Sequence, residues 1–151
     1  MGHMTFPCLL GRSGVTFRKR EGDGTSPKGK WKLEQLYYRP DKMGHQHSAI
    51  RSKALKKTDG WCDAAGSGHY NHYVALPCSV GHELLWRKDH AYDLVVTTNH
   101  NQRPRKQFGG SAIFLHVISK GVTGTEGCIA LSEKDLRYVL SRCSKNTYLV
   151  I

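Results

Sequence analysis

The chain lacks the long apolar runs of a membrane protein and the length of a multidomain protein. No stretch of its 151 residues approaches the roughly 18 consecutive apolar residues that a membrane-spanning helix needs. Apolar residues make up 38% of the sequence, and the mean hydropathy of −0.52 is ordinary for a water-soluble globular domain. We therefore predict a single folded domain without a membrane span.

The opening residues, Met-Gly-His-Met, are typical of a remnant of expression cloning. We expect residues 1–4 to be such a tag remnant and residues 5–151 to form the domain. The absence of a leader peptide says nothing about location, because a native leader can be removed in the same step.

The five cysteines contain no C-x-x-C pair, which argues against zinc-ribbon and thioredoxin-type chemistry. Two histidine pairs, His45 with His47 and His69 with His72, have no Asp, Glu or Cys at a spacing that would complete a metal site. We therefore expect no metal and no cofactor. The odd number of cysteines predicts at least one free thiol, and the sequence leaves open whether Cys62 and Cys78 form a disulfide.

Acidic residues are few. Asp and Glu number 12 against 23 Lys and Arg, so the formal net charge is +11. A surface of this kind attracts polyanions, and the two usual candidates are nucleic acid and the anionic polymers or carboxylate-rich peptides of a bacterial envelope. The charge alone does not choose between them, since the basic residues are scattered along the chain.

Helical periodicity is also scarce. The clearest helix follows Ser132, a good N-cap, and places Leu136, Leu140 and Cys143 on one face. Strand patterns dominate elsewhere, at residues 30–38, 70–76, 81–86, 92–98, 112–118 and 147–151. The turn at residues 11–14 suggests a hairpin, and residues 39–66 suggest a long polar surface connection. We predict a mostly β fold with long loops and one or two short helices.

Two reactive side chains stand out near the end of the chain. His116 interrupts an otherwise apolar strand, and Cys128 follows twelve positions later, directly after Gly127. A cysteine attacks acyl carbons only as a thiolate, which a nearby histidine can generate. Gly127 permits a tight turn, and the successive amides of Gly127 and Cys128 could stabilise an oxyanion. Cys128 is thus a candidate nucleophile and His116 its candidate base.

A simpler interpretation treats His116 as a buried histidine that hydrogen-bonds to a backbone carbonyl. No Asp or Glu in the sequence is an obvious third member of a triad, and a carbonyl could orient the imidazole equally well. A histidine and a cysteine alone are therefore weak evidence for catalysis.

Longer motifs give a family resemblance. The sequence His-Val at residues 116–117, followed by Thr-Glu-Gly-Cys-Ile-Ala-Leu at 125–131, resembles the L,D-transpeptidase catalytic domain, the YkuD-like fold. Upstream, residues 25–31 are similar to the family's T-P-x-G-x-F/Y element, with Ser26 in place of its Thr and Trp31 in place of its aromatic residue. The match is best with small single-domain proteobacterial members, and its further blocks lie at residues 11–14, 19–24, 59–63 and 85–87.

The resemblance implies a β-sandwich that acts on the stem peptides of peptidoglycan. Cys128 takes the position of the nucleophile and His116 that of the general base and acid. The carbonyl of Val117 takes the position that orients the histidine, and Gly127 with Cys128 that of the oxyanion amides. The reaction implied is L,D-transpeptidation, which forms 3→3 or 1→3 cross-links through a thioester on the cysteine.

Two positions depart from the family pattern Ser/Thr-His-Gly-Cys-x-Arg/Asn. This chain has Glu126 where the family has the second histidine, and Ala130 where it has Arg or Asn. We expect Glu126 to raise the pKa of the neighbouring thiol unless a Lys or Arg balances its charge.

The expected partners follow from the same resemblance. They are stem peptides as donor and amine acceptor, with carbapenem-class β-lactams as inhibitors, no nucleic acid, and a monomer in the periplasm or cell envelope. Arg87, Arg12, Tyr70 and Asn71 are the candidate substrate contacts. Two alternatives remain open: a carboxypeptidase or amide hydrolase with the same Cys and His, and a wall-binding module without catalysis.

Overall fold

A computed structural model describes residues 4–151, so residues 1–3 of the predicted tag remnant lie outside the described part. The elements, in chain order, are β1 Cys8–Leu9, β2 Val15–Thr16, β3 Ser26–Pro27, β4 Lys30–Tyr38, β5 Ser52–Ala54, β6 Asp59–Cys62, β7 Tyr73–Ala75, β8 His82–Leu84, β9 Leu94–Thr98, β10 Phe114–Val117, β11 Ile129–Leu131, α1 Glu133–Arg142 and β12 Tyr148–Val150.

A seven-stranded sheet forms the centre of the molecule. Its strands run in the order β1-β11-β10-β9-β4-β12, and β5 pairs with the second half of β4. The neighbours β10 and β11 are parallel, whereas β9 is antiparallel to both β10 and β4. Strands β7-β6-β8 make a separate three-stranded sheet, and β2 pairs with β3. The predicted mostly β fold is therefore confirmed.

The two faces of the central strands are covered by different layers. Leu94 and Val96 of β9 pack in one core cluster with Leu136 and Leu140 of α1. Val95, which points to the opposite face, belongs to a second cluster. Because both faces are buried, the strands read as continuous apolar runs in the sequence.

The second cluster lies between the central sheet and the three-stranded sheet. Trp61 of β6 and Leu85, which follows β8, pack there against Tyr37, Tyr92 and Phe114. Along β10, Leu115 and Val117 face the helix layer, so Phe114 and His116 share the other face by strand alternation. Cys128 belongs to this second cluster as well.

The predicted helix is confirmed, with Ser132 as its N-cap. The Ser132 side chain accepts a hydrogen bond from the Asp135 amide at 3.1 Å, and Glu133 and Asp135 place negative charge in the first turn. Cys143 caps the other end and is buried in the core, as predicted. Within residues 4–151 no helix is long and apolar enough to cross a membrane.

Two predictions about local structure were wrong. A turn forms at residues 11–14, where the Gly14 amide bonds to the Gly11 carbonyl at 2.9 Å, but it closes no hairpin. Strand β1 pairs with β11 and β2 with β3, so the two strands that flank the turn do not pair with each other. The supposed surface connection at residues 39–66 contains β5 and the fully buried β6.

The five cysteines, Cys62 and Cys78 included, are all free thiols.

Candidate active site

His116 and Cys128 face the same cavity. In the parallel pair of β10 and β11, His116 is the register partner of Ala130, and Cys128 lies two residues before Ala130. Cys128 packs in the same cluster as Phe114, and Phe114 and His116 share one face of β10, so the thiol and the imidazole lie on the same side of the sheet. Both line a cavity of about 420 Å³. The fold thus brings together the pair predicted from the sequence.

The imidazole of His116 is held in one orientation by its own strand. Its Nδ1 donates to the carbonyl of Val117 at 2.8 Å, and the Tyr92 ring meets it edge-on with centroids 5.4 Å apart. A protonated Nδ1 leaves Nε2 of the neutral ring as a proton acceptor. Burial lowers the pKa of His116, although the bond to Val117 opposes this effect. The ring is therefore suited to act as a base near neutral pH.

The Cys128 thiol is neutral in this structure. Its Sγ donates to the carbonyl of Ala112 at 3.0 Å and accepts from the Phe114 amide at 3.3 Å. Burial, followed by the charge of Glu83, raises the pKa of Cys128 to about 12, whereas the Phe114 amide and two nearby cations act in the opposite direction. The sulfur needs a proton acceptor, or a change in the surrounding charge, before it can attack.

Sequence reasoning missed Glu83, which follows no motif and lies 45 positions before Cys128. Its carboxylate lines the cavity and accepts a bond from the Tyr92 hydroxyl, 3.2 Å from each oxygen. Burial raises the pKa of Glu83 to about 7, although Arg87 and the Tyr92 hydroxyl lower it. The carboxylate that acts on the thiol thus comes from the three-stranded sheet, and no local pattern could have indicated it.

Glu126, in contrast, is neutralised at the rim of the cavity. Arg12 forms an ion pair with it, and the two side chains are 58% and 71% exposed. Glu126 is not among the main groups that shift the pKa of Cys128. The compensating cation that the sequence required is therefore Arg12. With its guanidinium engaged in this way, Arg12 lies beside the cavity and does not line it.

Lys19 is a second cation that the sequence did not single out. Its side chain is only 6% exposed, lines the cavity and pairs with Asp23, while Nζ also donates to the Arg20 carbonyl at 2.8 Å. The positive charge of Lys19 lowers the pKa of Cys128. Burial opposes ionisation of Asp23, but bonds from Lys19, Arg20 and Thr25 together hold its pKa well below the usual range.

The turn before Cys128 requires glycine. Gly127 has a φ of +137°, and a Cβ at this position would lie 2.6 Å from the carbonyl oxygen of Thr25. The buried Ser26 hydroxyl donates to the Gly127 carbonyl and accepts from the Gly11 amide, each at 2.9 Å. The upstream block at residues 25–31 therefore positions the cysteine turn directly.

The Gly127 amide is already engaged within this turn. It donates to Thr125 Oγ1 at 3.1 Å, and the same hydroxyl donates to the Cys128 carbonyl at 2.6 Å. Gly127 itself does not line the cavity. The amide predicted to stabilise an oxyanion is thus directed at Thr125 in this conformation.

Of the four candidate substrate contacts, only Arg87 lines the cavity. Its Nε donates to Asp89 at 2.9 Å, and its guanidinium lies 4.9 Å from the centre of the Tyr92 ring. The bond to Asp89 raises the pKa of Arg87 further, although burial opposes it, so the group stays charged at any working pH. Arg87 is thus paired with Asp89 in the cavity wall, and a substrate carboxylate would share its guanidinium with Asp89.

Tyr70 is fully buried, so its prediction as a substrate contact needs correction. Its hydroxyl donates to Glu21 and accepts from the Gly110 amide at 3.0 Å, outside the cavity. Burial, followed by the bond to Glu21, raises the pKa of Tyr70, which keeps the hydroxyl protonated. The side chain ties two loops together.

Asn71 needs the same correction, because its side chain is 1% exposed and fully bonded. Its Oδ1 accepts from Trp61 Nε1 at 3.1 Å and from the Ala112 amide at 3.0 Å, and its amide group donates to two carbonyls of the following loop. The Ala112 carbonyl accepts a hydrogen bond from the Cys128 thiol, so Asn71 helps to position the nucleophile through Ala112.

The fold and the site define a mostly β domain that presents one cysteine and one histidine to a common cavity. Within residues 4–151, no three His, Cys, Asp or Glu side chains are arranged to hold a metal ion. The family model described as YkuD, the L,D-transpeptidase catalytic domain, matches residues 2–151.

The chain therefore belongs to the YkuD family of L,D-transpeptidase catalytic domains. Membership supports a catalytic role in peptidoglycan chemistry, with the cell wall as the place of action. Neither the curated proteins nor the solved structures gave a match to the chain.

Proposed function

We propose that this protein is a peptidoglycan L,D-transpeptidase that works through a thioester on Cys128, with His116 as general base and acid. The observation that carries the proposal is the shared cavity of the two side chains, in which His116 Nδ1 is bound to Val117 and Nε2 is left to accept a proton. Family membership supplies the substrate class.

In the first half-reaction, the thiol proton passes from Cys128 to His116 Nε2, and the sulfur attacks the carbonyl carbon of the donor residue in a stem peptide. When the tetrahedral intermediate collapses, the C–N bond breaks and the imidazolium gives its proton to the departing amine. For a 3→3 link the donor carbonyl is that of the third residue, and the leaving group is the terminal D-alanine.

In the second half-reaction, an amine of another stem attacks the thioester carbon. The amine loses a proton to His116, the C–S bond breaks, and the thiolate recovers that proton. Arg87 is the residue we propose to hold a substrate carboxylate during both steps, since its guanidinium lines the cavity. For Gly127 to stabilise the oxyanion, its amide must first leave Thr125 Oγ1.

A defined muropeptide tests this function. The protein is incubated with a disaccharide-tetrapeptide, and the products are weighed by mass spectrometry. Cross-linked dimers that have lost D-alanine are the expected product, and Cys128→Ala should form none. Tripeptide without dimer would contradict transfer and support the carboxypeptidase alternative, in which water attacks the same thioester.

The third candidate is a wall-binding module that keeps the fold without chemistry. It predicts no acylation of Cys128, whereas both enzyme hypotheses predict a covalent adduct with a carbapenem at this residue, visible as an increase in intact mass. Cys128→Ala is the control. We also propose a monomer in the periplasm or envelope, which gel filtration and fractionation of the source cells can test.

A further inference from the structure

A second concave surface, the Phe17 groove, lies next to the active-site cavity. It encloses about 790 Å³ between residues 17–21 and residues 100–109, and Trp31 also lines it. Lys19 and Glu21 line both the groove and the cavity. A ligand that occupies the groove can therefore continue past this segment to Cys128.

The rim of the groove carries two unusually exposed aromatic side chains. Phe17 is 80% exposed and Phe108 is 62% exposed. The Lys28 ammonium lies 4.7 Å from the centre of the Phe17 ring. Two phenyl rings left in water at the rim of one groove mark it as an interaction surface.

Positive charge accompanies these rings. Arg18, Arg20 and Lys106 line the groove, and none of the three forms an ion pair within residues 4–151. The acidic residue of the lining, Glu21, already accepts the Tyr70 hydroxyl. The groove is therefore complementary to a ligand that carries negative charge.

The walls of the groove are held together before any ligand binds. The Glu21 amide donates to the Phe108 carbonyl at 2.8 Å, which joins the two loops. On the far side, the Asn101 side chain bonds to both the amide and the carbonyl of Lys106, at 2.7 and 2.9 Å. Such a preformed surface loses little conformational entropy on binding.

The floor contains one unused polar atom. His100 is 6% exposed and packs edge-on against Trp31, and among residues 4–151 its Nδ1 is the buried side-chain nitrogen or oxygen without a hydrogen-bond partner. Buried polar atoms are nearly always paired in folded proteins. A hydroxyl-bearing ligand in the groove would give this atom a partner after a small shift of the floor.

We propose that the Phe17 groove binds the glycan strand of peptidoglycan while the attached stem peptide enters the Cys128 cavity. Sugar rings offer flat C–H faces to the two phenyl rings and hydroxyls to the polar floor. The lactyl carboxylates of sugars that carry no stem peptide, and the peptide carboxylates of those that do, match Arg18, Arg20 and Lys106. The inference rests on the proposed function for the identity of the polymer, since single-stranded nucleic acid combines similar features.

The test is a binding assay on the Cys128→Ala protein, which keeps chemistry out of the measurement. The probe is a fluorescently labelled, peptide-free glycan strand with free lactyl carboxylates, followed by anisotropy. Phe17→Ala and Phe108→Ala should each weaken binding about tenfold, which corresponds to the loss of roughly 55 Å² of apolar contact. Lys106→Glu should weaken binding and reduce its dependence on salt.

Tyr148→Ala is the matched control. Tyr148 is 43% exposed and also carries a lysine over its ring, since Lys30 Nζ lies 4.4 Å from the ring centre, but it does not line the groove. This variant should bind the glycan as tightly as its parent. All of these rings are exposed, so their removal should leave the fold intact, which circular dichroism checks.

Two results would overturn the proposal. One is a Phe17→Ala, Phe108→Ala double variant that binds the glycan within twofold of its parent. The other is a single-stranded oligonucleotide that binds more tightly than the glycan and displaces it. Failure of the proposed function is a separate outcome, because the muropeptide assay can show no transfer while glycan binding still depends on Phe17 and Phe108.

Discussion

Two carboxylates are near Cys128, one in the sequence and the other in space. Glu126 is two residues from Cys128, yet Arg12 neutralises it in contact with water, where ion pairs and single charges act weakly. Glu83 is distant in the chain but lines the same cavity as the buried thiol, and its charge raises the pKa of Cys128. The two carboxylates should therefore differ in their effect on Cys128.

This difference gives a prediction for Glu83→Gln. Iodoacetamide alkylates only the thiolate, so its rate at Cys128 measures the thiolate fraction. In the unsubstituted protein, ionisation of Glu83 near pH 7 should raise the pKa of Cys128 by about one unit. The alkylation rate should therefore rise little over about one pH unit in this range. Glu83→Gln should give an unbroken rise and react about tenfold faster at pH 8.5, with equal rates below pH 6.

Several other groups face Glu83 and remain in both proteins: Arg87, Tyr92, Asp63 and Glu21. Glu126→Gln is the matched control and should keep the flattened profile. The rate at Cys128 is followed by mass spectrometry of its peptide, which separates it from the other four thiols. If the two variants give the same profile, the assignment of Glu83 is refuted.

At the scale of elements, the site depends on a junction between β3 and the turn that leads into β11. Ser26 bonds across this junction to the Gly127 carbonyl, and the Thr25 carbonyl lies where a Gly127 Cβ would project. The upstream block and the cysteine motif, although about a hundred residues apart, therefore form one structural unit.

Gly127→Ala should disrupt this junction. The substitution adds a methyl group 2.6 Å from the Thr25 oxygen and places alanine at a φ of +137°, so we expect a loss of about 3 kcal/mol in the free energy of unfolding. Gly14→Ala is the control, since its φ is +89° but nothing lies within 4 Å, and it should cost about 1 kcal/mol. Urea denaturation measures both. Equal losses would show that backbone strain alone determines the effect.

The sequence predicted these elements unevenly. Strand β9 and helix α1 were found because their apolar patterns are long and their burial is regular. Strand β6 was missed because its four residues include Asp59 and Gly60, which favour loops in isolation. They are buried only because β7 and β8 enclose them on both sides.

At the scale of the whole molecule, two buried groups make opposite contributions to stability in acid. Burial lowers the pKa of His100 to about 4. As the pH falls from 6.5 towards 4, the unfolded chain binds a proton at His100 before the folded protein does, so the free energy of unfolding decreases. Burial raises the pKa of Glu83 to about 7, so its protonation stabilises the fold as the pH falls from 7 to its unfolded value near 4.5. Over this window the two contributions oppose each other.

In Glu83→Gln, the loss of stability that His100 causes in acid should no longer be offset by protonation of Glu83. Between pH 7 and 4.5 the variant should lose about 2 kcal/mol more of its free energy of unfolding than the unsubstituted protein does. Urea denaturation at pH 7, 5.5 and 4.5 measures the difference. Glu126→Gln should run parallel to the unsubstituted protein, and parallel curves for Glu83→Gln would refute the assignment of its pKa.

Local sequence patterns indicated the family, the β-rich class and the candidate pair of His116 and Cys128. These depend on local patterns, because an apolar strand and a glycine turn carry the two side chains within thirteen consecutive residues. The folded molecule was needed to show that Glu83 and Lys19 influence the thiol, that Arg12 pairs with Glu126, and that Tyr70 and Asn71 are buried supports. Their roles depend on burial and on contacts between distant segments, and neither has a signature at the residue itself.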